Sequence, residues 1–142
     1  HNGIVAEFRA LNFNCEARGA DRPESEGEFL CFGRGDQRDI VSGGHKVVGS
    51  AQRRRRGAVL QHGSILISRS HHAPEFPGIC DIAPGISIPD DLPRRLSARI
   101  APLLAERAME TELSAAEVES AGKLQMERYA NIDWQNRGRN FQ

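Results

Sequence analysis

The sequence is short of cysteine, has no net charge and lacks any long apolar run, and each shortage closes off a class of protein. The three cysteines, Cys15, Cys31 and Cys80, are an odd number at wide, unpatterned spacings. That argues against a disulfide framework and against a zinc site, and favours free thiols in a reducing cytosol. Lysine plus arginine and aspartate plus glutamate both total 19, so the formal charge is zero. Bulk electrostatics therefore nominates neither nucleic acid nor an anionic membrane as a partner. No stretch approaches the roughly 20 apolar residues of a membrane span, and the N-terminus has no basic region leading into an apolar one. A cytoplasmic protein is the expectation. At 142 residues the chain is the size of one ordinary domain and can bury a core.

What is present begins with Ile4, Val5, Phe8 and Leu11, spaced as one face of a helix. Because that helix follows at once on His1, with no Met before it, the expectation is a single domain over 1–142 that forms the C-terminal portion of a larger one. Residues 19–27 are rich in Asp, Glu, Ser, Pro and Gly and read as a solvated loop. A short apolar run at 29–32 and the turn formers Gly33, Arg34, Gly35 and Asp36 come next. Asp39, Ile40 and Val41 then lead into Gly43-Gly44, a hairpin signal before longer strands expected at 45–54 and 58–68, with Gly57 at their turn. An antiparallel meander of about four strands is expected. Pro74, Pro77, Pro84 and Pro89 exclude continuous regular structure over 70–90. Beyond them, Asp90 and Asp91 with Pro93 mark a helix start, and Leu92, Leu96, Ile100 and Leu103 its apolar stripe, with a kink expected at Pro102. Ser114 and Glu117 are spaced as a capping box, with Val118, Ala121, Leu124 and Tyr129 on one face of the helix that follows. Helices after strands, without strict alternation, indicate an α+β class: a mainly antiparallel sheet with helices packed on one face.

Chemistry concentrates in two neighbouring runs: His45-Lys46-Val47-Val48-Gly49-Ser50-Ala51-Gln52 and Gln61-His62-Gly63-Ser64. A lone lysine among Val, Gly, Ser and Ala needs an anionic or carbonyl partner if it points inward. The other reading is an edge-strand lysine facing water. Cys31, in its apolar run before Lys46, reads either as a buried structural cysteine or as a nucleophile whose thiolate a nearby ammonium favours. His62, read as buried, can fix the backbone of the lysine segment or titrate as an acid or base, the first role being preferred. His71 and His72 are not read as metal ligands, since adjacent side chains point apart and no third ligand is spaced for one. Arg53, Arg54, Arg55 and Arg56 at a hairpin tip read as a solvated turn in preference to a nucleic-acid contact.

Lys46 to Gln52, written K-x-x-G-S-A-Q, and Gln61 to Ser64, written Q-H-G-S, resemble the signatures of the lipoate-protein ligase and octanoyltransferase family, whose catalytic domain is related to that of biotin protein ligases. The resemblance runs from about 29 to 67 and weakens toward the C-terminus. Family members also carry an upstream Arg-Arg, Gly-Gly-Gly and His motif that builds the acyl pocket, and this chain does not contain it. The resemblance implies a biotin/lipoate protein ligase-like fold and an acyltransferase that moves octanoyl or lipoyl from a carrier thioester, through Cys31, to a lysine of a lipoyl-dependent protein. Lys46 would polarise the carbonyl. Gly49, Ser50, Ala51, Gln52, His62, Gly63 and Ser64 would line the substrate, their small side chains letting backbone approach an acyl chain. The implied partners are acyl carrier protein and a lipoyl-domain or glycine-cleavage H-type acceptor, with no nucleic acid and no membrane. Such carriers are generally acidic, so Arg53 to Arg56 would steer them. No cofactor is implied for the transferase; ATP and magnesium belong to the alternative, a ligase working through an acyl-adenylate. A catalytically silent carrier-binding module is the alternative of another class.

Overall fold

Residues 1–20 and 32–132 are described by the computed structural model, which divides the chain into two compact units, His1–Arg107 and Ala108–Gln142.

The first unit opens with helix α1, Asn2–Ala10. It stops in a Schellman arrangement: Phe13 N–H donates to the Phe8 carbonyl at 2.8 Å, Asn12 N–H to the Arg9 carbonyl at 3.0 Å, and Asn12 takes a left-handed φ of 60°. The apolar contact that accompanies this motif is the edge-to-face pair of Phe8 and Phe13, with ring centres 5.9 Å apart. Both rings are buried, so one local stop signal also seeds the core.

Four antiparallel strands follow in the order β1-β2-β3-β4: β1 Glu16–Ala17, β2 Ile40–Ser42, β3 His45–Arg55 and β4 Ala58–Ile65. The expected four-strand meander is there with a different first member. Glu16–Ala17 supplies that strand, pairing with Ile40 and Val41, whereas Phe32 stands in a turn and 29–31 lie outside the described residues. Two-residue loops join the hairpins: Gly43 and Gly44 at φ 55° and 85°, then Arg56 and Gly57 at φ 49° and 79°. Two successive positive φ values define the type I′ turn that matches strand twist. Between Ile40 and Val41 the register slips, leaving Val47 as an extra residue between Lys46 and Val48. Val47 and Val48 are in consequence both buried, where strict alternation would bury one.

Strand β4 ends at Ile65, short of the expected 68: Leu66 N–H still donates to the Val47 carbonyl at 2.9 Å, but the carbonyls of 66 and 67 are engaged elsewhere. Ile79 N–H donates to the Leu66 carbonyl and Cys80 N–H to the Ile67 carbonyl, each at 2.8 Å. Those donors open the short helix α2, Ile79–Ile82, which fits between Pro77 and Pro84, so that 70–90 holds one four-residue helix and no continuous regular structure. Helix α3, Leu92–Leu104, runs from the expected start and contains Pro102. Leu92 is buried and Leu96 and Ile100 half-buried, while Leu103 is exposed. Phe8, Phe13, Cys15, Ile40, Val47, Val48, Ile79 and Leu92 form the core. Antiparallel sheet and accompanying helices make this an α+β arrangement.

Helix α1 and helix α3 are also joined by charge. Glu7 is buried, and Arg95 and Arg99 each donate Nε–H to one of its carboxylate oxygens. The hydrogen bonds from Arg99 and then Arg95 hold the Glu7 carboxyl below the usual carboxylate range, against the opposing effect of its burial.

The second unit contains α4, Ala115–Leu124, continued by a π-helical segment, Gln125–Tyr129. Its start is the expected capping box: Glu117 N–H donates to Ser114 Oγ at 3.3 Å, and Ser114 N–H to Glu117 Oε2 at 2.7 Å. Val118, Leu124 and Tyr129 are exposed.

Candidate functional site

The site is built where the bulge interrupts β3. With Val47 inserted, Lys46 and Gly49 fall on the same face, and the lysine side chain lies across the glycine. A Cβ at position 49 would stand 2.7 Å from Lys46 Cε and 3.1 Å from Nζ. Among the described residues Lys46 Nζ then meets an anion, a carbonyl and a ring. Asp39 Oδ2 is 3.0 Å away, the Arg34 carbonyl accepts at 3.0 Å, and the Phe32 ring centre lies 5.2 Å off. The lysine side chain is 11% exposed and the aspartate 4%, so this is an almost buried charge held by an anion, a carbonyl and an aromatic face. Inward pointing with an anionic and a carbonyl partner is the geometry the sequence required of a buried Lys46, and the water-facing alternative is not what the chain adopts.

Asp39 is fixed in turn by its own loop. Its Oδ2 also accepts from Asp36 N–H at 2.7 Å, and its backbone N–H donates to the Asp36 carbonyl at 3.0 Å. Arg38 N–H donates to Asp36 Oδ1 at 2.7 Å, an Asx turn that the run Gly33-Arg34-Gly35-Asp36 favours. Phe76 stands against Phe32, ring centres 6.4 Å apart.

The remaining candidates form a ribbon that leaves the core. The two runs singled out in the sequence pair residue for residue: Gly49 with Ser64, Ser50 with Gly63, Ala51 with His62, Gln52 with Gln61. Gly63 permits that approach, since a Cβ there would come within 2.6 Å of the Gly49 carbonyl. A polar track runs along one side: Arg54 Nε–H donates to Gln52 Oε1 (3.0 Å), Gln52 Nε2–H to Gln61 Oε1 (3.1 Å) and Gln61 Nε2–H to Ser50 Oγ (3.2 Å), with His1 Nε2 2.9 Å from the same hydroxyl. Every residue of 50–64 is exposed. His62, read from the sequence as buried, is exposed opposite Ala51, because no layer of the described residues covers the ribbon at this point. Arg53, Arg54 and Arg55 pair with Leu60, Val59 and Ala58, and Arg56 occupies the turn. No acidic residue occurs between Asp39 and Glu75, so no nearby carboxylate in sequence offsets the basic tip.

Cys31 lies outside the described residues; its neighbour in the chain is Phe32. Cys15 and Cys80 are free thiols. Burial pushes the Cys15 thiol above its ordinary value, which disfavours a thiolate there. The rings of His71 and His72 stack with centres 3.6 Å apart, where the sequence reading had them diverging. Among the described residues no three His, Cys, Asp or Glu side chains gather as a metal site, and no helix is long and apolar enough to cross a membrane. Asp39, Arg34 and Phe32 were not among the residues expected at the site. The available signal was the acid directly before β2, which a two-residue hairpin brings back beside a lysine at the start of β3.

Comparison with known proteins identifies the family. The family profile described as Lipoyl protein ligase A/B catalytic domain matches residues 2–84. Proteins named Octanoyltransferase LipM are similar to part of the chain: the one from Kyrpidia tusciae is 39% identical over 70 residues, covering 46% of this chain and 26% of its own. That from Brevibacillus brevis is 45% identical over 65 residues (46% and 22%), and that from Bacillus subtilis 40% over 72 residues (46% and 26%). The chain thus spans about a quarter of the length of these curated relatives. No solved structure matches. With the K-x-x-G-S-A-Q and Q-H-G-S runs paired on one hairpin inside the matched region, the chain belongs to the lipoyl protein ligase A/B catalytic domain family.

Proposed function

We propose that this protein acts in lipoate assembly as an octanoyltransferase. The Cys31 thiolate attacks the thioester carbonyl of an octanoyl carrier protein. The carrier's C–S bond breaks, its sulfur leaves and takes up a proton, and octanoyl remains on Cys31 as a new thioester. An acceptor lysine amine then attacks that thioester, forming an amide and releasing the cysteine thiol. In both steps negative charge grows on the carbonyl oxygen, and Lys46 is the group assigned to receive it.

The observation that supports this reading is the fixed ammonium of Lys46, held by Asp39 and the Arg34 carbonyl beside Phe32, the residue that follows Cys31 in the chain. An oxyanion can replace the neutral Arg34 carbonyl as acceptor while Asp39 keeps hold. Charged acceptors make the stronger hydrogen bond, so that exchange favours the transition state over the ground state. The similarity to proteins named Octanoyltransferase favours this chemistry over an ATP-dependent ligation. The transferase route calls for no cofactor. Acyl carrier protein and a lipoyl-domain acceptor are the assigned partners, with the Arg53 to Arg56 tip meeting their acidic surfaces.

Mass spectrometry of the full-length protein after incubation with octanoyl carrier protein tests it. The expected product carries one octanoyl group, is labile to hydroxylamine and is absent from Cys31→Ala. An adduct that persists in Cys31→Ala removes the nucleophile assignment. Transfer that needs ATP and magnesium and survives the substitution makes the protein a ligase, and carrier binding without any transfer makes it a binding module.

A further inference from the structure

We propose that Asp39 is a positioning residue for Lys46: it sets where the ammonium points and keeps it out of water, with Gly49 supplying the space that the arrangement needs. The consequence for turnover rests on the acyl-transfer reading above; the positioning itself does not.

The geometry is unusual for a lysine. Four methylenes and an ammonium give the side chain many rotamers, and exposed lysines keep most of them. Lys46 is instead pinned at its end by a carboxylate that is itself 4% exposed, at 3.0 Å, and pinned along its stem by the surface of Gly49. Asp39 is no casual partner. Its Oδ2 takes the Asp36 N–H as well, and its carbonyl accepts Arg18 N–H at 2.8 Å, so the carboxylate is fixed on both sides of its own Cα. A side chain this constrained presents its charge in one place before substrate arrives, which is the preorganisation that electrostatic stabilisation needs. The bulge at Val47 is what turns Lys46 onto the face where Asp39 and Gly49 are found. One carboxylate, one absent side chain and one inserted residue thus act on the same ammonium.

The sequence contains two lysines, Lys46 and Lys123, and this makes the idea measurable without an activity assay. Lys123 is about two-thirds exposed, pairs with Glu119 on the surface of α4, and serves as an internal reference. Brief acetylation of the full-length protein with acetic anhydride, read by peptide mass spectrometry, should modify Lys46 much more slowly than Lys123. Asp39→Asn, nearly identical in shape, should raise the ratio of Lys46 to Lys123 labelling severalfold. Gly49→Ala should do the same by another route, since its methyl group displaces Lys46 Cε while leaving Asp39 in place. A parental ratio in folded Asp39→Asn overturns the proposal, and if that variant does not fold, a parental ratio in Gly49→Ala overturns it. For octanoyl transfer, Asp39→Asn should lower kcat by about 10²-fold, the scale of a small misplacement, with the KM for carrier unchanged. Asp39→Glu, which keeps the charge, should recover part of it. A loss confined to KM counts against positioning. A parent protein that transfers no octanoyl overturns the acyl-transfer reading alone, and the labelling ratio still decides the role of Asp39.

Discussion

Single side chains decide most of what this domain can do, and two ion-paired acids of the first unit, Glu7 and Asp39, are buried. Lys46 is the residue to which the proposed function assigns the developing charge. Lys46→Ala should cut octanoyl transfer by about 10²–10³-fold, the usual loss when one donor to a developing oxyanion is removed, while changing any one of Arg53 to Arg56 should cost far less. Near-parental turnover in folded Lys46→Ala would reduce the lysine to a structural role. Glu7 carries a different consequence. Its carboxyl is held below the usual range by Arg99 and Arg95, so the folded state binds this proton less readily than the unfolded chain, where a glutamate titrates near 4.3. The stabilisation is therefore complete above about pH 5 and disappears as pH falls through the lowered folded value. Glu7→Gln should melt several degrees below the parent at pH 7, and the gap should close in acid. A gap that is constant from pH 7 to pH 3 would show that ionisation of Glu7 contributes nothing.

Elements add what residues alone do not. The β3–β4 ribbon is held by eight cross-strand pairs and a type I′ turn, and over 50–64 no layer of the described residues packs on it. Residues 50–64 of this ribbon contribute nothing to the buried core. If its arginines guide an acidic carrier, neutralising Arg53, Arg54, Arg55 and Arg56 together should raise the apparent KM for carrier, leave kcat nearly intact and weaken the salt dependence of the reaction. Tight binding of duplex DNA or single-stranded RNA by the parent at physiological salt, lost in the quadruple variant, would assign the ribbon to nucleic acid instead. Gly57→Val should disturb the ribbon further, because a β-branched residue does not tolerate the φ of 79° at this position.

For the whole molecule, the core of the first unit rests on few large side chains, so Phe8→Ala should lower unfolding free energy by about 3–5 kcal/mol in denaturant melts. What the sequence made legible was mostly local. Gly43-Gly44 announced its hairpin because two positive φ values suit few other residues, and Ser114 with Glu117 announced a helix start because the capping box closes within one turn. The pairing of K-x-x-G-S-A-Q with Q-H-G-S was legible through Gly57 between them. Contacts distant in the chain were not. Glu7 sits beside Phe8 on the inner side of α1, and nothing near it in sequence says that Arg95 and Arg99 will meet it; the available sign was their i, i+4 spacing on another helix. Asp39 was read only as part of the run leading into Gly43-Gly44, and only the hairpin that folds β3 back on β2 shows it to be the ion-pair partner of Lys46. Strand β1 escaped notice because two residues are too few to display a period.

The length of β3 separates Lys46 from the arginine tip in space. From Lys46 to Arg55 the strand climbs roughly 30 Å at about 3.4 Å per residue, more than three times the 8 Å over which physiological salt screens charge. The arginine tip is consequently too remote to alter the electrostatic environment of the lysine, yet it extends the domain's capture radius for an oppositely charged partner by that same distance. On the proposed function, a tip rewritten to suit a new carrier would leave the surroundings of Lys46 unchanged, and changes around Lys46 would leave carrier capture intact.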